Sequence, residues 1–125
     1  MAAVKGRNTQ PELRVRRLLH QLGFRFRLHS AKLPGRPDIV LPRHRTVVFV
    51  HGCFWHRHLG CTRASMPASR PHFWSEKFRR TVERDREAET RLLESGWKPL
   101  VIWECETRDE AELSGKLLKF LTPGL

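Results

Sequence analysis

The segment His51-Gly52-Cys53-Phe54-Trp55-His56-Arg57-His58-Leu59-Gly60-Cys61 holds the densest set of reactive side chains in the chain. Cys53, His58 and Cys61 follow the spacing C-x4-H-x2-C, short enough for all three to converge on one ion. A structural zinc site takes four sulfur or nitrogen ligands in a tetrahedron. Cys105 is the remaining one of 3 cysteines. A fold that delivered it would close a Cys3His set with no thiol left over, and zinc would keep a long loop ordered. Three free thiols and a surface histidine are the competing reading. His51 and His56 are then spare imidazoles beside that site, with the side chain that titrates nearest neutral pH.

A second constellation depends on a hairpin. Strands over 38–41 and 46–51, turning between His44 and Arg45, pair Asp38 with His51 and Ile39 with Val50. A carboxylate and an imidazole would then meet at one end of a rigid ribbon, where a catalytic or metal-binding pair is held accurately. Asp38 bonding only the amides of its own turn is equally open. Glu12 closes the capping box Thr9-Gln10-Pro11-Glu12, which explains it without chemistry. Phe54 and Trp55, in a polar and basic loop, and Trp74 suit stacking on or wedging between bases. Covering the core from a loop is their alternative. Trp97 and Trp103 flank a strand and are expected in the core.

The elements that must position these groups follow from periodicity and punctuation. Thr9 caps a helix whose stripe is Val15, Leu18, Leu19 and Leu22, and Gly23 ends it. Phe24, Phe26 and Leu28 alternate with Arg25, Arg27 and His29 as a half-buried strand. Leu33-Pro34-Gly35-Arg36-Pro37 is a turn before Asp38-Ile39-Val40-Leu41. Thr46-Val47-Val48-Phe49-Val50 is the most apolar run in the chain, largely β-branched and unbroken, as a central strand requires. Residues 52–71 lack periodicity, and a loop of that length is functional or held by something else. A charged helix spans about 73–95, with Phe78, Val82, Leu92 and Leu93 as its apolar face. A strand over 97–103 and a helix capped by Asp109, carrying Leu113, Leu117, Leu118 and Leu121, complete the order α-β-β-β-α-β-α. A short mixed sheet with helices on both sides is the economical packing.

The bulk properties narrow the function. A chain of 125 residues suits one domain over 1–125. Lys and Arg number 24 against 13 Asp and Glu, a net charge of +11, which favours a polyanionic partner. No apolar run reaches bilayer length, so no membrane role is expected. The N-terminal sequence has no signal-peptide core.

These segments together resemble the very short patch repair endonucleases, T:G mismatch-nicking relatives of the PD-(D/E)xK nucleases. The matching strings are Asn8-Thr9-Gln10-Pro11-Glu12, Leu33-Pro34-Gly35-Arg36-Pro37-Asp38-Ile39-Val40 and Arg45 to His56, with HGCFWH as the most specific. Phe73-Trp74, Val82-Glu83-Arg84-Asp85, Gly96-Trp97 and Val101-Ile102-Trp103-Glu104-Cys105 continue the match. The resemblance covers about residues 4–106. It implies a restriction-endonuclease-like αβββαβ core with a zinc-stabilised loop.

Carried over by position, it implies that Asp38 and the backbone carbonyl of Val50 bind one or two catalytic Mg2+. His51 and His56 would be the catalytic histidines, and Glu12 would act through water or metal. Structural Zn2+ would sit on Cys53, His58, Cys61 and Cys105, and Phe54, Trp55 and Trp74 would wedge into the duplex. Met1 falls where the family often has a DNA-inserting Met. The implied substrate is double-stranded DNA with a T:G mismatch, nicked next to the T. The implied setting is a monomer at the bacterial nucleoid in the cytoplasm, linked to a DNA cytosine methyltransferase and a repair polymerase. A lesion-independent nickase of the same fold and a non-catalytic zinc-stabilised DNA-binding module are the alternatives. Arg79 and Arg80 are candidate phosphate contacts.

Overall fold

The computed structural model describes residues 8–123; Met1 lies outside them. Helix α1 is Gln10–Gln21, followed by strands β1 (Arg27–Leu28), β2 (Ile39–Leu41) and β3 (Thr46–His51). Helix α2 (Pro71–Glu94) crosses to β4 (Lys98–Trp103), and α3 (Glu110–Leu121) closes the chain. The sheet order is β1-β2-β3-β4, antiparallel except for the parallel β3–β4 pair. The order of elements is the one that periodicity predicts.

The helix starts have local causes. Thr9 accepts the amide of Glu12 at α1, and Asp109 accepts the amide of Glu112 at α3. Each bond satisfies an amide that the helix itself cannot. Helix α2 begins earlier than expected, with Pro71 in its first turn, where the missing N–H costs nothing.

Both faces of the sheet are covered. Val15, Leu18 and Leu19 of α1 and Leu113, Leu117 and Leu121 of α3 pack on Ile39, Leu41, Val48, Leu100 and Ile102. On the opposite face Leu92 of α2 packs on Val40, Val47 and Phe49. A strand buried on both faces must be apolar at consecutive positions, which is the pattern of β2 and most of β3. Leu92 and Ala88 form the buried stripe of α2 with Phe78, while Leu93 is 61% exposed. The strand expected over 24–29 shrinks to Arg27–Leu28; Phe24 and Phe26 instead pack on the first core.

The hairpin differs from the expected one. Ile39 pairs with Val48, Val40 with Val47 and Leu41 with Thr46, two residues away from the expected register. The cause is the turn. Pro42–His44 form a 3-10 turn closed by Arg45 in the left-handed conformation (φ 49). It consumes four residues where a two-residue turn was assumed. Asp38 therefore does not face His51.

One close approach fixes the depth of α2. Gly35, at φ +76, sits under the helix, and a Cβ there would lie 2.7 Å from the Ala88 Cβ and 3.1 Å from the Phe49 ring. Only glycine accommodates both the backbone and the contact.

Candidate active site and metal centre

Strand β3 ends in His51, and the chain then folds over the ends of the two parallel strands. Cys53, His58 and Cys61 come from this loop and Cys105 from the 3-10 turn after β4; their ligand atoms all lie within 4.8 Å of one another. His58 Nδ1 is 3.7 Å from Cys53 Sγ and 3.4 Å from Cys105 Sγ. A tetrahedral zinc with ordinary bonds needs sulfur–nitrogen separations of about 3.5 Å, so the donors fit that ion in type, number and spacing. The His58 ring stacks on Trp103, centroids 4.3 Å apart. Burial pushes the Cys53 thiol up to about 12, whereas Cys61 is lowered, chiefly by the Arg63 amide. A bound metal deprotonates such thiols and competes with protons for them.

The second group forms at the other side of His51. Asp38 Oδ2 accepts the amide of Val50 at 2.7 Å, and Oδ1 makes no hydrogen bond among the described residues. Burial, with the neighbouring Glu12 charge, raises the Asp38 carboxyl to about 6 despite that amide. His51 and His56 stack with ring centroids 3.8 Å apart and 6° between planes. His56 Nδ1 is 2.7 Å from Asp85 Oδ2 on α2. Burial, helped by the His56 charge, lowers His51 to about 4, so its ring is neutral at pH 7. Asp38, Val50, His51 and His56 line two adjoining clefts. One, of about 620 Å³, runs along α2 past Arg36, Arg84 and Asp85; the other, of about 360 Å³, reaches Glu12, Phe54 and Trp55.

These two shifts have opposite consequences for stability. His51 has a folded value below its unfolded one, so its contribution is present above pH 6.5 and is lost as pH falls towards 4. Asp38 has a folded value above its unfolded one, so its contribution is present below pH 3.8 and is lost as pH rises through about 6. Each amounts to about 3 kcal/mol, and the two nearly cancel between pH 4 and 6. Asp38→Asn should unmask the His51 slope. Urea unfolding without added Mg2+ should then show stability rising by about 3 kcal/mol from pH 4 to 6.5. A variant as flat as the wild type would contradict this assignment.

Glu12 does more than cap. Its carboxylate does not return to the Thr9 amide, as the capping-box reading predicts. Oε1 accepts the Asn8 amide, and Oε2 receives Arg16 at 3.1 Å and His29 Nε2 at 2.7 Å. Glu12 is only 1% exposed. His29 and Asp85 were not singled out by sequence reasoning. Asp85 lay in a string matched for family likeness, and His29 stands one residue beyond β1, opposite Asp38.

Phe54 meets Trp55, Trp74 and Phe78 edge-on at 5.2, 5.6 and 5.2 Å. Phe78 is the buried base of this cluster, and Trp55 and Trp74 are half-buried. Arg57 lies over Phe78, 4.0 Å from the ring centroid, and donates to the carbonyls of Phe54, Ala64 and Ser65. Trp97 packs on the second core as expected. Trp103 instead stands between His51 and His58. Arg79 is engaged by Glu76 and Glu83, so Arg36 and Arg84, lining the larger cleft, are the better placed cations.

The chain is similar to known proteins along most of its length. A family model described as DNA mismatch endonuclease Vsr matches residues 1–63. Type II nicking enzyme V.XorIIP of Xanthomonas oryzae pv. oryzae is 48% identical over 98% of this chain and 90% of its own length. DNA mismatch endonuclease Vsr of Escherichia coli is 46% identical over 94% of this chain and 75% of its own. The catalytic domain of homing endonuclease I-Bth0305I superposes with a TM-score of 0.63 at 19% identity, covering 90% of this chain and 93% of that one. The last likeness establishes a shared fold.

Proposed function

Because the chain belongs to the Vsr family of DNA mismatch endonucleases, we propose that this DNA endonuclease nicks duplex DNA next to the T of a T:G mismatch. That cut would start very short patch repair of deaminated 5-methylcytosine. A cytosine methyltransferase would then generate the substrate, and a repair polymerase would fill the gap. The observation that carries the reading is the convergence of Asp38, His51 and His56 between two clefts, one of them bordered by the aromatic cluster.

Hydrolysis of a phosphodiester needs a deprotonated water, shielding of the phosphoryl charge and a proton for the leaving oxygen. Nuclease folds of this kind work with a divalent ion, and the carboxylates of Asp38 and Glu12 with the carbonyl of Val50 are the donors a Mg2+ would use. Such an ion supplies Lewis-acid stabilisation of the phosphoryl oxygens. His56 is the better placed general base. Asp85 engages Nδ1, leaving Nε2 to take the proton from water, as the carboxylate-held imidazole of other hydrolases does. His51, neutral and stacked on it, keeps the second imidazole from adding a competing charge. Arg36 and Arg84 would hold the backbone, and the zinc set would hold the loop that carries Phe54 and Trp55.

Mismatch preference would come from softness. A wobble pair unstacks at lower cost than a Watson–Crick pair, and rings wedged into the stack convert that difference into specificity. Phe54, Trp55 and Trp74 are all half-buried and in mutual contact, so the three rings would enter the duplex together. Trp74→Ala should slow T:G nicking roughly tenfold or more and narrow the T:G over T:A binding ratio, with the salt slope unchanged. Arg84→Ala should do the reverse, weakening all duplexes alike and reducing the slope by about one. The test is nicking of T:G, T:A and C:G duplexes with and without Mg2+ at several salt concentrations. Equal cutting of all three would favour a lesion-independent nickase. Binding without cutting would leave a zinc-stabilised DNA-binding module.

A further inference from the structure

Beside Asp38 stands a group with a different ligand chemistry. One ligand atom each from Glu12, His29 and Asp38 lies within 4.8 Å of the other two. Donors bonded to one ion at about 2.1–2.2 Å are themselves roughly 3–4.4 Å apart, so the set is within reach of a single ion. The three come from separate elements, each fixed independently. Glu12 is buried in α1 and oriented by the Asn8 amide and Arg16. The His29 amide donates to the Asp38 carbonyl at 3.0 Å, which continues the β1–β2 pairing by one residue. His29 also adopts φ 48, a left-handed conformation uncommon outside glycine, although His and Asn enter it more readily than most. His29 Nε2 stands 2.7 Å from Glu12 Oε2, a hydrogen-bond separation that opens by a few tenths of an ångström when both atoms bind one ion.

The geometry points to a transition-metal site formed by Glu12, His29 and Asp38, in which the His29 imidazole gives the bound ion a nitrogen ligand and favours Mn2+ over Mg2+. It rests on the reading of Asp38 as the ligand of the catalytic ion, and adds to that reading a choice of metal. Mg2+ is a hard cation that keeps oxygen ligands and several waters. Imidazole suits first-row transition ions, so replacing one oxygen donor by nitrogen shifts preference towards them. The competing role for His29 is that of a plain ion-pair partner that positions Glu12.

His29→Gln separates the two roles, because glutamine retains an N–H donor for Glu12 and removes the ring. Mn2+ titration of the zinc-loaded protein without DNA, followed by electron paramagnetic resonance, gives the affinity. Electron spin-echo modulation of the bound Mn2+ reports an imidazole nitrogen directly. The expected result is a nitrogen modulation in the wild type that disappears in His29→Gln but persists in His56→Gln. Mn2+ affinity should fall about tenfold in His29→Gln, with Mg2+ affinity changed less than threefold. Unchanged modulation and affinity in His29→Gln, or no modulation in the wild type, would overturn the inference and leave His29 as a positioning residue. The parent reading fails by a different measurement: Mg2+-dependent nicking that survives Asp38→Asn.

Discussion

Asp38→Asn reduces single-turnover nicking roughly a thousandfold or more, with duplex binding unchanged or tighter. The reasoning starts from charge. Asn cannot supply the carboxylate oxygen that a divalent ion needs, and Oδ1 is the oxygen left without a hydrogen bond by the Val50 amide. The same substitution removes a negative charge from a surface that must approach phosphates, so binding does not suffer. Unfolding is not an available explanation, because the ionised Asp38 is itself held at a cost: burial raises its carboxyl to about 6. Above that pH the Asn variant should be the more stable protein. Gel-shift titration and a nicking time course with one protein preparation separate the two effects. An Asp38→Asn protein that cuts at the wild-type rate with Mg2+ would sink the proposed active site.

Cys105→Ser has the second largest effect, and acts on structure first. Purified wild-type protein should contain about one zinc per chain by elemental analysis, and the variant well below that. Loss of one of four ligands weakens a site whose binding energy is folding energy. The expected destabilisation is about 3 kcal/mol or more. The loop over residues 52–70 contains one short 3-10 turn, Thr62–Ala64, and is held otherwise by Arg57, the aromatic cluster, His56 on Asp85, and the Cys53 amide and Arg63 on Glu104. Its loosening should raise protease sensitivity there while α1 and α3 stay protected. Nicking falls with it, because His56 lies in the same loop, but zinc content distinguishes this loss from that of Asp38→Asn. Folded, active protein purified without zinc would remove the metal from the account.

Much of the fold was legible because its signals are local. The caps at Thr9 and Asp109, the unbroken apolar run of β3 and the stripe of α1 each depend on a few adjacent residues. The grouping of Cys53, His58, Cys61 and Cys105 was legible by chemistry and count, since three thiols and one imidazole complete a tetrahedron. The hairpin register was not. It depends on how many residues a turn consumes, and the left-handed Arg45 after Pro42–His44 shifts every pair by two. Asp85 and His29 were missed for a related reason. Their partners, His56 and Glu12, lie 29 and 17 positions away, and no periodic pattern connects such distances. Trp103 was misplaced because a strand-flanking indole usually faces a core, whereas the end of β4 meets two imidazoles instead.

The parallel pairing of β3 with β4 bears on the order in which the chain can assemble. Cys53, His58 and Cys61 are neighbours in sequence, but Cys105 is 47 positions from His58 and reaches it only when α2 has crossed over and β4 has docked beside β3. Non-local parallel pairing is slow, because the loop must close before its contacts reward it. A zinc ion on this set would therefore not template the chain as it does in a small zinc finger. Three ligands could capture an ion early, and the fourth bond would form only with the finished sheet. Such a metal would act late, as a latch whose closing reports that both parallel strands are in register. Refolding followed at Cys105 should track sheet formation in time, and early zinc capture should leave that rate unchanged.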